Sequence, residues 1–218
     1  MTELLIDNLA KTYEPGTARA VHAVVDASLQ VPPGERVVIT GPSGGGKTTL
    51  LMLISGLLKP TGGTIRIAGR DLAGVRPDKR NLAVVFQHDA LYPHLSARKH
   101  LELSLRGAGV GRREMPGRIA LIAERLGITE CLARRPSALS GGQRRRVALA
   151  RAMVRPADLV LLDEPLVGVD DEMSGQIRQA LLEHWAQHPT TVLITTHDPV
   201  TAADLGHRSL SMLGGKLG

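Results

Sequence analysis

A glycine-rich loop, Gly41–Thr48 (GPSGGGKT), is the feature that most constrains the fold of this chain. It fits the pattern G-x-x-x-x-G-K-[ST] and follows Arg36–Thr40 (RVVIT), a β-branched run that predicts a buried strand. A helical stretch from Lys47 to about Leu57 follows the loop. In this order, backbone N–H groups converge on phosphate oxygens at the positive end of the helix dipole. The loop therefore predicts an α/β domain with a phosphate-binding site, in which Lys47 reaches the phosphates and Thr48 suits Mg²⁺.

Hydrophobic periodicity divides the rest of the chain into strand-like flanks and a helical middle. From about Asp89 to Arg155, apolar residues recur at helical spacing, as in Met115–Leu126 and Gly142–Met153. We predict one α/β domain, with a core formed by about residues 1–88 and 156–218 and a helical insert at about 89–155. The strand-like runs are Leu4–Leu9, Ala20–Val31, Arg36–Thr40, Thr64–Ala68, Leu82–Phe86, Leu159–Leu162 and Thr191–Thr195.

The composition narrows the class of protein. The 218 residues are 43% hydrophobic and 22% charged, which is typical of globular chains. No stretch approaches the roughly 20 apolar residues needed to cross a bilayer. The single cysteine, Cys131, excludes an internal disulfide and fits a reducing compartment. The net charge of +6 permits a nucleic-acid partner, but no aromatic residues interleave with arginine clusters such as Arg144–Arg146, so solvated helix faces are the simpler interpretation.

A second stretch, Leu159–Pro165 (LVLLDEP), is an apolar strand that ends in two acids. In a parallel α/β sheet, the carboxyl ends of the strands form the ligand-binding edge. Asp163 at that edge suits Mg²⁺, and Glu164 suits a general base that polarises the attacking water. Alone, the acid pair could be a solvated turn or a helix cap; the phosphate-binding loop upstream favours the catalytic interpretation.

A third stretch, Leu139–Gln143 (LSGGQ), opens the helical segment Arg144–Met153. A hydroxyl and exposed N–H groups at a helix N-terminus form an anion site. Without its neighbours the stretch is only a turn that opens a helix, and its significance comes from its place between the other two.

Together the three stretches resemble the ABC transporter ATPases, with GPSGGGKT as their Walker A, LSGGQ as their signature motif and LVLLDEP as their Walker B. The resemblance covers nearly the whole chain in the expected order. It implies a P-loop NTPase (RecA-like) core, an N-terminal antiparallel β subdomain and an inserted helical subdomain that carries the signature motif. It also implies ATP and Mg²⁺ as ligands.

The resemblance assigns roles to three further residues. Gln87 corresponds to the glutamine that contacts Mg²⁺ and the attacking water, and His197 to the histidine that contacts the γ-phosphate. Tyr13 lies where the family keeps an aromatic that stacks on adenine. Without the resemblance, these would be a polar residue at a strand end, a helix cap and an ordinary core or surface ring.

The resemblance implies the following site. The catalytic residues are Lys47, Gln87, Glu164 and His197, and the residues at the metal are Thr48, Gln87 and Asp163. The residues that contact the nucleotide are Tyr13, Gly41, Pro42, Ser43, Gly44, Gly45, Gly46, Lys47, Thr48, Thr49, Gln87, Ser140, Gly141, Gly142, Gln143, Asp170 and His197.

The position of the signature motif implies a dimer. In the family, two cassettes pack head to tail, so that Ser140, Gly141 and Gly142 of one face the γ-phosphate held by the other. The expected partner is a second copy of this chain or a related cassette, and ATP is part of the interface between them.

The stretch Ala90–Ser96 (ALYPHLS) resembles the solute-importer ATPases of the sugar and maltose type, in which it lines the groove for the coupling helix of the membrane subunit. This implies ATP-driven import through separate permease subunits and a solute-binding protein. The chain would then lie on the cytoplasmic face of the cell membrane, with no nucleic-acid partner. Cargo specificity resides in the permease and the binding protein, so the cargo is not defined by this sequence.

Three alternatives remain. They are an exporter or lipoprotein-release cassette, a soluble ABC protein of DNA repair or translation, and a P-loop kinase, which would not need LSGGQ. The chain departs from the family at Lys99-His100 (usually Glu-Asn), Val167–Asp170 (usually Ser-x-Leu-Asp) and Asp198-Pro199 (usually Asp-Gln). The regulatory domain that follows the core in maltose-type ATPases is expected to be absent.

Overall fold

The computed structural model describes residues 2–218, which divide into two compact units. The core unit comprises the residues up to Val84 together with Asp158–Glu164 and Pro189–Gly218. The helical unit comprises Val85–Ala157 and Pro165–His188. The strands are β1 (Leu4–Tyr13), β2 (Val21–Val31), β3 (Arg36–Thr40), β4 (Gly62–Ile67), β5 (Arg70–Asp71), β6 (Leu82–Val85), β7 (Leu159–Asp163), β8 (Thr191–Thr196), β9 (Arg208–Leu213) and β10 (Lys216–Leu217). The α-helices are α1 (Lys47–Ser55), α2 (Ala97–Gly107), α3 (Met115–Arg125), α4 (Gly141–Met153), α5 (Asp171–Gln187) and α6 (Pro199–Leu205).

The larger sheet has six strands in the order β10-β9-β3-β8-β7-β6. Strand β3 pairs in parallel with β8 and β9, and β7 pairs in parallel with β8. Every residue of β7 and β8 is buried, as expected for the apolar central strands of a parallel sheet. Because these strands run in one direction, the residues that follow β3, β7 and β8 lie at the same edge of the sheet.

The second sheet of the core unit is antiparallel, in the order β2-β1-β4-β5. It is the N-terminal β subdomain expected from the sequence. Strand β1 continues past the predicted end at Leu9 to Tyr13, because it pairs with β2 through several register shifts. Asn8, at the first of these irregularities, has a left-handed backbone with φ 47°. A polar, bulged strand of this kind has no clean alternation for a periodicity argument to detect.

Helix α1 ends at Ser55, two residues before the predicted Leu57, because Gly56 adopts the left-handed conformation with φ 80°. The guanidinium of Arg80 covers this end and donates to the carbonyls of Leu53 and Ile54 at 3.1 and 2.7 Å. A Cβ at position 56 would lie 2.5 Å from Cζ of Arg80. The buried arginine therefore fixes the C-terminus of the helix whose first turn carries the phosphate-loop lysine.

The helical unit is held by contacts of α2 with α3 and α4, of α3 with α4, and of α4 with α5. Apolar side chains along one face of each helix, such as Leu101, Ile119, Val147 and Ile177, are fully buried. The predicted insert ended near residue 155, whereas the structure groups Pro165–His188 with these helices. The reason is that α5 buries its apolar face in this unit.

No α-helix within residues 2–218 combines the length and the apolar character required to cross a membrane.

A buried histidine links α3 and α5. His184 is 9% exposed, and its Nδ1 accepts a hydrogen bond of 3.1 Å from Nη1 of Arg125. Nη2 of Arg125 donates to Gln187, and the ring of His188 lies 5.0 Å from that of His184, centroid to centroid. Burial, followed by electrostatic interaction with His188 and Arg125, lowers the pKa of His184 from 6.5 to about 4. The folded protein therefore keeps this imidazole neutral at pH values where the unfolded chain is already protonated.

The free energy of unfolding should consequently fall as the pH drops from about 6.5 to about 4. In this range His184 binds a proton in the unfolded chain but not in the folded protein, so protonation favours unfolding. The full shift sets an upper limit on the order of 3 kcal/mol for this contribution. A His184→Gln variant keeps an acceptor for Arg125 without titrating, so its unfolding free energy should be flatter across this range. Urea unfolding at a series of pH values measures the effect, with the exposed His88→Gln as the control that keeps the wild-type slope. An unchanged slope in His184→Gln would contradict the assignment.

Candidate phosphate and metal site

The phosphate-binding loop leaves the carboxyl end of β3 and packs tightly against two other strands. A Cβ on Gly41 would lie 2.2 Å from the carbonyl oxygen of Met212, and a Cβ on Gly46 would lie 2.2 Å from that of Ala23. Gly44, by contrast, has φ +79° and open space where its side chain would be. Glycines 41 and 46 therefore allow close backbone packing, while Gly44 provides the left-handed turn that curls the loop.

Lys47 turns its ammonium back into the loop. The residue is 7% exposed, and its Nζ donates to the carbonyls of Gly41 and Pro42 at 2.7 and 3.1 Å. The same Nζ lies 3.8 Å from Oε1 of Glu164, at the end of β7. The loop and the acidic strand end, separate in sequence, thus share one buried positive charge.

Asp163 joins three elements through its two carboxylate oxygens. The hydroxyl of Thr48, in the first turn of α1, donates to Oδ2 at 2.8 Å. The hydroxyl of Thr195, on the neighbouring strand β8, donates to Oδ1 at 2.6 Å. The carboxylate is therefore oriented by one hydroxyl from the loop helix and one from the sheet.

Glu164 has an unusual backbone for a residue with a side chain, with φ 48° in the left-handed region. Its N–H donates to the carbonyl of Thr195 at 2.9 Å. Its carboxylate accepts from Nδ1 of His197 at 3.0 Å and from the His197 N–H at 3.4 Å. The side chain of His197 is 61% exposed, so most of its ring remains accessible to a ligand. Strained backbone at a buried carboxylate is typical of functional sites.

The oxygen ligands of this site suit Mg²⁺. Thr48 and Asp163 supply a hydroxyl and a carboxylate, the oxygen donors that a hard cation prefers. Among residues 2–218 no group of three or more His, Cys, Asp or Glu side chains could hold a metal ion by itself. Two protein oxygens fit Mg²⁺ well, since it keeps several waters and takes further oxygens from substrate phosphates.

Tyr13 lies at the end of β1, where it pairs with Val21 of β2. Its ring is exposed, and Nζ of Lys11 lies 5.4 Å from the ring centroid. Strand β2 also carries Ala23, the residue against which Gly46 packs. Tyr13 therefore belongs to the strand pair that contacts the phosphate-binding loop, and its role in adenine stacking stays a prediction.

Gln87, Ser140–Gln143 and Asp170, which are also predicted site residues, belong to the helical unit. Ser140 is the N-cap of α4: its hydroxyl oxygen accepts from the N–H of Gln143 at 3.2 Å, and Gln143 Oε1 accepts from the N–H of Ser140 at 3.0 Å. This reciprocal capping box fixes the turn in which Gly141 and Gly142 present their N–H groups. The side chain of Gln143 is thereby used in capping, and Gln87 is exposed on the segment after β6.

Asp170 caps another helix. Its carboxylate accepts from the N–H of Met173 at 2.9 Å and begins α5. Gly168 before it has φ +77°, and Val167, which replaces the usual serine, is exposed. The predicted nucleotide contacts of Asp170, Gln87 and Ser140–Gln143 remain predictions, because the structure groups them in the helical unit and the loop in the core unit.

Two polar residues were missed in the sequence. Thr195 lies in the apolar run Thr191–Thr195, where periodicity shows only burial, yet it orients Asp163. The interpretation of Arg144–Arg146 as a solvated face is wrong for Arg145, which is 3% exposed. A guanidinium is buried here because backbone carbonyls meet it, and such acceptors leave no trace in the sequence.

His100, noted as a departure from the family, is also buried. Its Nδ1 donates to the carbonyl of Ser96 at 2.8 Å, and its Nε2 accepts from the N–H of Tyr92 at 2.8 Å. Burial lowers its pKa, which favours this neutral form. The rings of Tyr92 and His100 stack 5.9 Å apart, centroid to centroid, so the histidine holds the loop in which Tyr92 is exposed.

Comparisons with known proteins place this geometry in a family. A family model described as ABC transporter matches residues 24–167. The chain is 44% identical over 217 residues to the sn-glycerol-3-phosphate import ATP-binding protein UgpC 2 of Rhizobium johnstonii, covering 100% of this chain and 62% of that protein. It is 39% identical over 215 residues to the trehalose import ATP-binding protein SugC of Mycobacterium tuberculosis, covering 99% of this chain and 54% of that protein. The chain thus spans 54–62% of the length of these relatives.

A solved structure gives the same result for the fold. It is a dimeric structure of a post-hydrolysis state of the ATP-binding cassette MJ0796, bound to ADP and Pi. The TM-score is 0.87 at 31% identity, over 98% of this chain and 96% of that chain. The likeness confirms the predicted P-loop NTPase core with its β subdomain and helical subdomain. The chain belongs to the ABC transporter family.

Proposed function

We propose that this chain binds ATP and hydrolyses it to ADP and phosphate as the motor subunit of a transporter. The observation that carries the proposal is that the phosphate-binding loop lies next to the two acids at the end of β7. Thr48 Oγ1 lies 2.8 Å from Asp163 Oδ2, and Lys47 Nζ lies 3.8 Å from Glu164 Oε1. A loop that binds phosphates, a metal-binding carboxylate and a general base are the parts that phosphoryl transfer to water requires.

Each residue of the site has a proposed task. Lys47 neutralises charge on the outer phosphates, and the N–H groups of the loop hold their oxygens. Thr48 and Asp163 hold Mg²⁺, which when bound neutralises charge on the phosphate oxygens. Glu164 orients the attacking water and accepts its proton. His197 donates to Glu164 through Nδ1 and presents the rest of its exposed ring to the γ-phosphate.

We further propose that two cassettes enclose the nucleotide. Ser140 and the N–H groups of Gly141 and Gly142 form an anion-binding helix N-terminus on α4. Their place in the helical unit, away in sequence from the loop, supports a role toward a second copy or a related cassette. The dimeric state of the MJ0796 cassette supports the same assembly.

The proposed transport direction is import, through separate permease subunits and with a solute-binding protein, at the cytoplasmic face of the membrane. Support comes from the names of the relatives, which describe import of sn-glycerol-3-phosphate and of trehalose. The exposed ring of Tyr92, held by His100, is the proposed contact for the permease. Co-purification of a membrane permease tests this assignment, whereas recovery of ribosomes or DNA instead would overturn it.

Two predictions test this proposal, and the first concerns the general base. Glu164→Gln keeps the shape of the side chain and its hydrogen bonding to His197 but cannot accept a proton, so ATP turnover should fall by about two orders of magnitude or more. ATP affinity should persist, and a dimer should accumulate with ATP and Mg²⁺ on size-exclusion chromatography with light scattering. The exposed Glu130→Gln is the matched control. Turnover at the wild-type rate in Glu164→Gln would refute the assignment of the base.

The second prediction concerns Thr195. Thr195→Val removes the hydroxyl that orients Asp163 and leaves the volume nearly unchanged, so the Mg²⁺ concentration for half-maximal activity should rise roughly 10-fold. Saturating Mg²⁺ should restore part of the rate. A Mg²⁺ titration of ATPase activity measures this, with the exposed Thr64→Val as control and thermal melting as a check on folding. An unchanged Mg²⁺ dependence would show that Thr195 does not act through Asp163.

A further inference from the structure

We infer that Arg145 is a positioning residue of the ATPase site, which fixes the backbone beside Gln87 and Glu164 from the signature helix α4. The inference rests on the proposed function. It extends that function to a residue outside the loop, the acidic strand end and the signature motif itself.

The guanidinium of Arg145 is a buried hub of hydrogen bonds to main-chain carbonyls. Its Nη1 donates to the carbonyl of Phe86 at 2.8 Å and lies 3.3 Å from that of Gln87. Its Nε donates to the carbonyl of Pro165 at 2.6 Å. Nη1 also lies 3.4 Å from Oδ1 of Asp89, which provides a partly exposed counter-charge. All of these groups belong to the helical unit.

The carbonyls that it binds are neighbours of the proposed chemistry. Gln87 is the proposed contact to Mg²⁺ and to the attacking water. Pro165 directly follows Glu164, the proposed base, and Arg145 itself lies on the helix that Ser140 caps. The side chain of Arg145 therefore connects two segments to α4, the helix that begins at the signature motif. One segment contains Gln87, and the other directly follows Glu164.

These segments also follow two of the four places where the chain passes from one unit to the other. The core unit gives way to the helical unit after Val84 and again after Glu164, and Phe86 and Pro165 follow these boundaries closely. By holding the carbonyls of Phe86 and Pro165, Arg145 restrains the backbone of the residues that adjoin Gln87 and Glu164 in the sequence. Such restraint matters for catalysis because a misplacement of about 1 Å can lower a rate about 100-fold.

Arginine is needed for this geometry. Its planar fork presents Nε and Nη1 donors in different directions, which reach Pro165 and Phe86 at once. A lysine would keep the positive charge beside Asp89 but has a single nitrogen, so it cannot reproduce both contacts. A methionine would fill much of the volume and leave the carbonyls of Phe86 and Pro165 without this donor.

Steady-state kinetics on the purified chain test the inference. Arg145→Met should lower kcat for ATP at least 10-fold and leave KM, and the Kd for a fluorescent ATP analogue, within about threefold, because the phosphate-binding loop is untouched. Arg145→Lys should give an intermediate kcat. The exposed Arg118→Met, also in the helical unit, is the matched control and should behave as wild type.

A double-mutant cycle with Gln87→Ala separates positioning from a general loss of structure. If Arg145 acts by placing Gln87, the further fall in kcat caused by Arg145→Met in the Gln87→Ala background should be much smaller than in the wild type. Fully additive effects would overturn the inference for Gln87, and equal losses of binding and turnover would overturn it as a whole. If Arg145→Met does not fold, Arg145→Lys decides: a wild-type kcat overturns the inference, and a reduced kcat with unchanged Kd supports it.

The outcomes for the inference and for the proposed function are distinguishable. A wild-type chain that binds and hydrolyses no ATP would overturn the proposed function. An active wild type with equally active Arg145 variants would overturn this inference alone.

Discussion

The carboxylate of Asp163 is the interaction on which the rest of the site depends. It ends a fully buried strand, and its two oxygens accept from hydroxyls on α1 and on β8. These hydrogen bonds help to offset the cost of burying the carboxylate. The same two contacts set the distance between the loop helix and the sheet edge, and Lys47 and Glu164 meet as a result. The proposed metal binding and the packing of the core unit thus depend on one carboxylate.

Backbone carbonyls bound by buried side chains are a recurring device in this chain. Arg80 covers the end of α1, Arg145 holds the segments at Phe86 and Pro165, and His100 holds the Tyr92 loop through one donor and one acceptor. Arg80 and Arg145 act where a helix or a strand has just ended, whereas His100 acts within the loop that precedes α2. The conformations of these loops therefore depend on single polar side chains as much as on apolar packing.

The sequence predicted those parts of the structure that local patterns encode. The loop, the acids at the end of β7 and the helix opened by the signature motif depend on short-range order, and they lie where expected. Thr195, Arg145 and the association of α5 with α4 depend on contacts between residues distant in sequence. A periodicity argument shows that such residues are buried or helical, but not which acceptor they meet. The bulged end of β1 was missed for a different reason, because its side chains do not alternate.

The glycines of the phosphate-binding loop would respond differently to substitution by alanine. Gly41 and Gly46 leave no room for a methyl group against the carbonyls of Met212 and Ala23, so an alanine there would displace β9 or β2 before any ligand arrives. Gly44 has open space beside it, so an alanine there would mainly strain the turn. A loss of phosphate binding would therefore have two different causes. At Gly41 and Gly46 the substitution displaces a neighbouring strand, and at Gly44 it distorts the turn of the loop. The phosphate-binding loop thus combines glycines that allow close backbone packing with a glycine that shapes the turn.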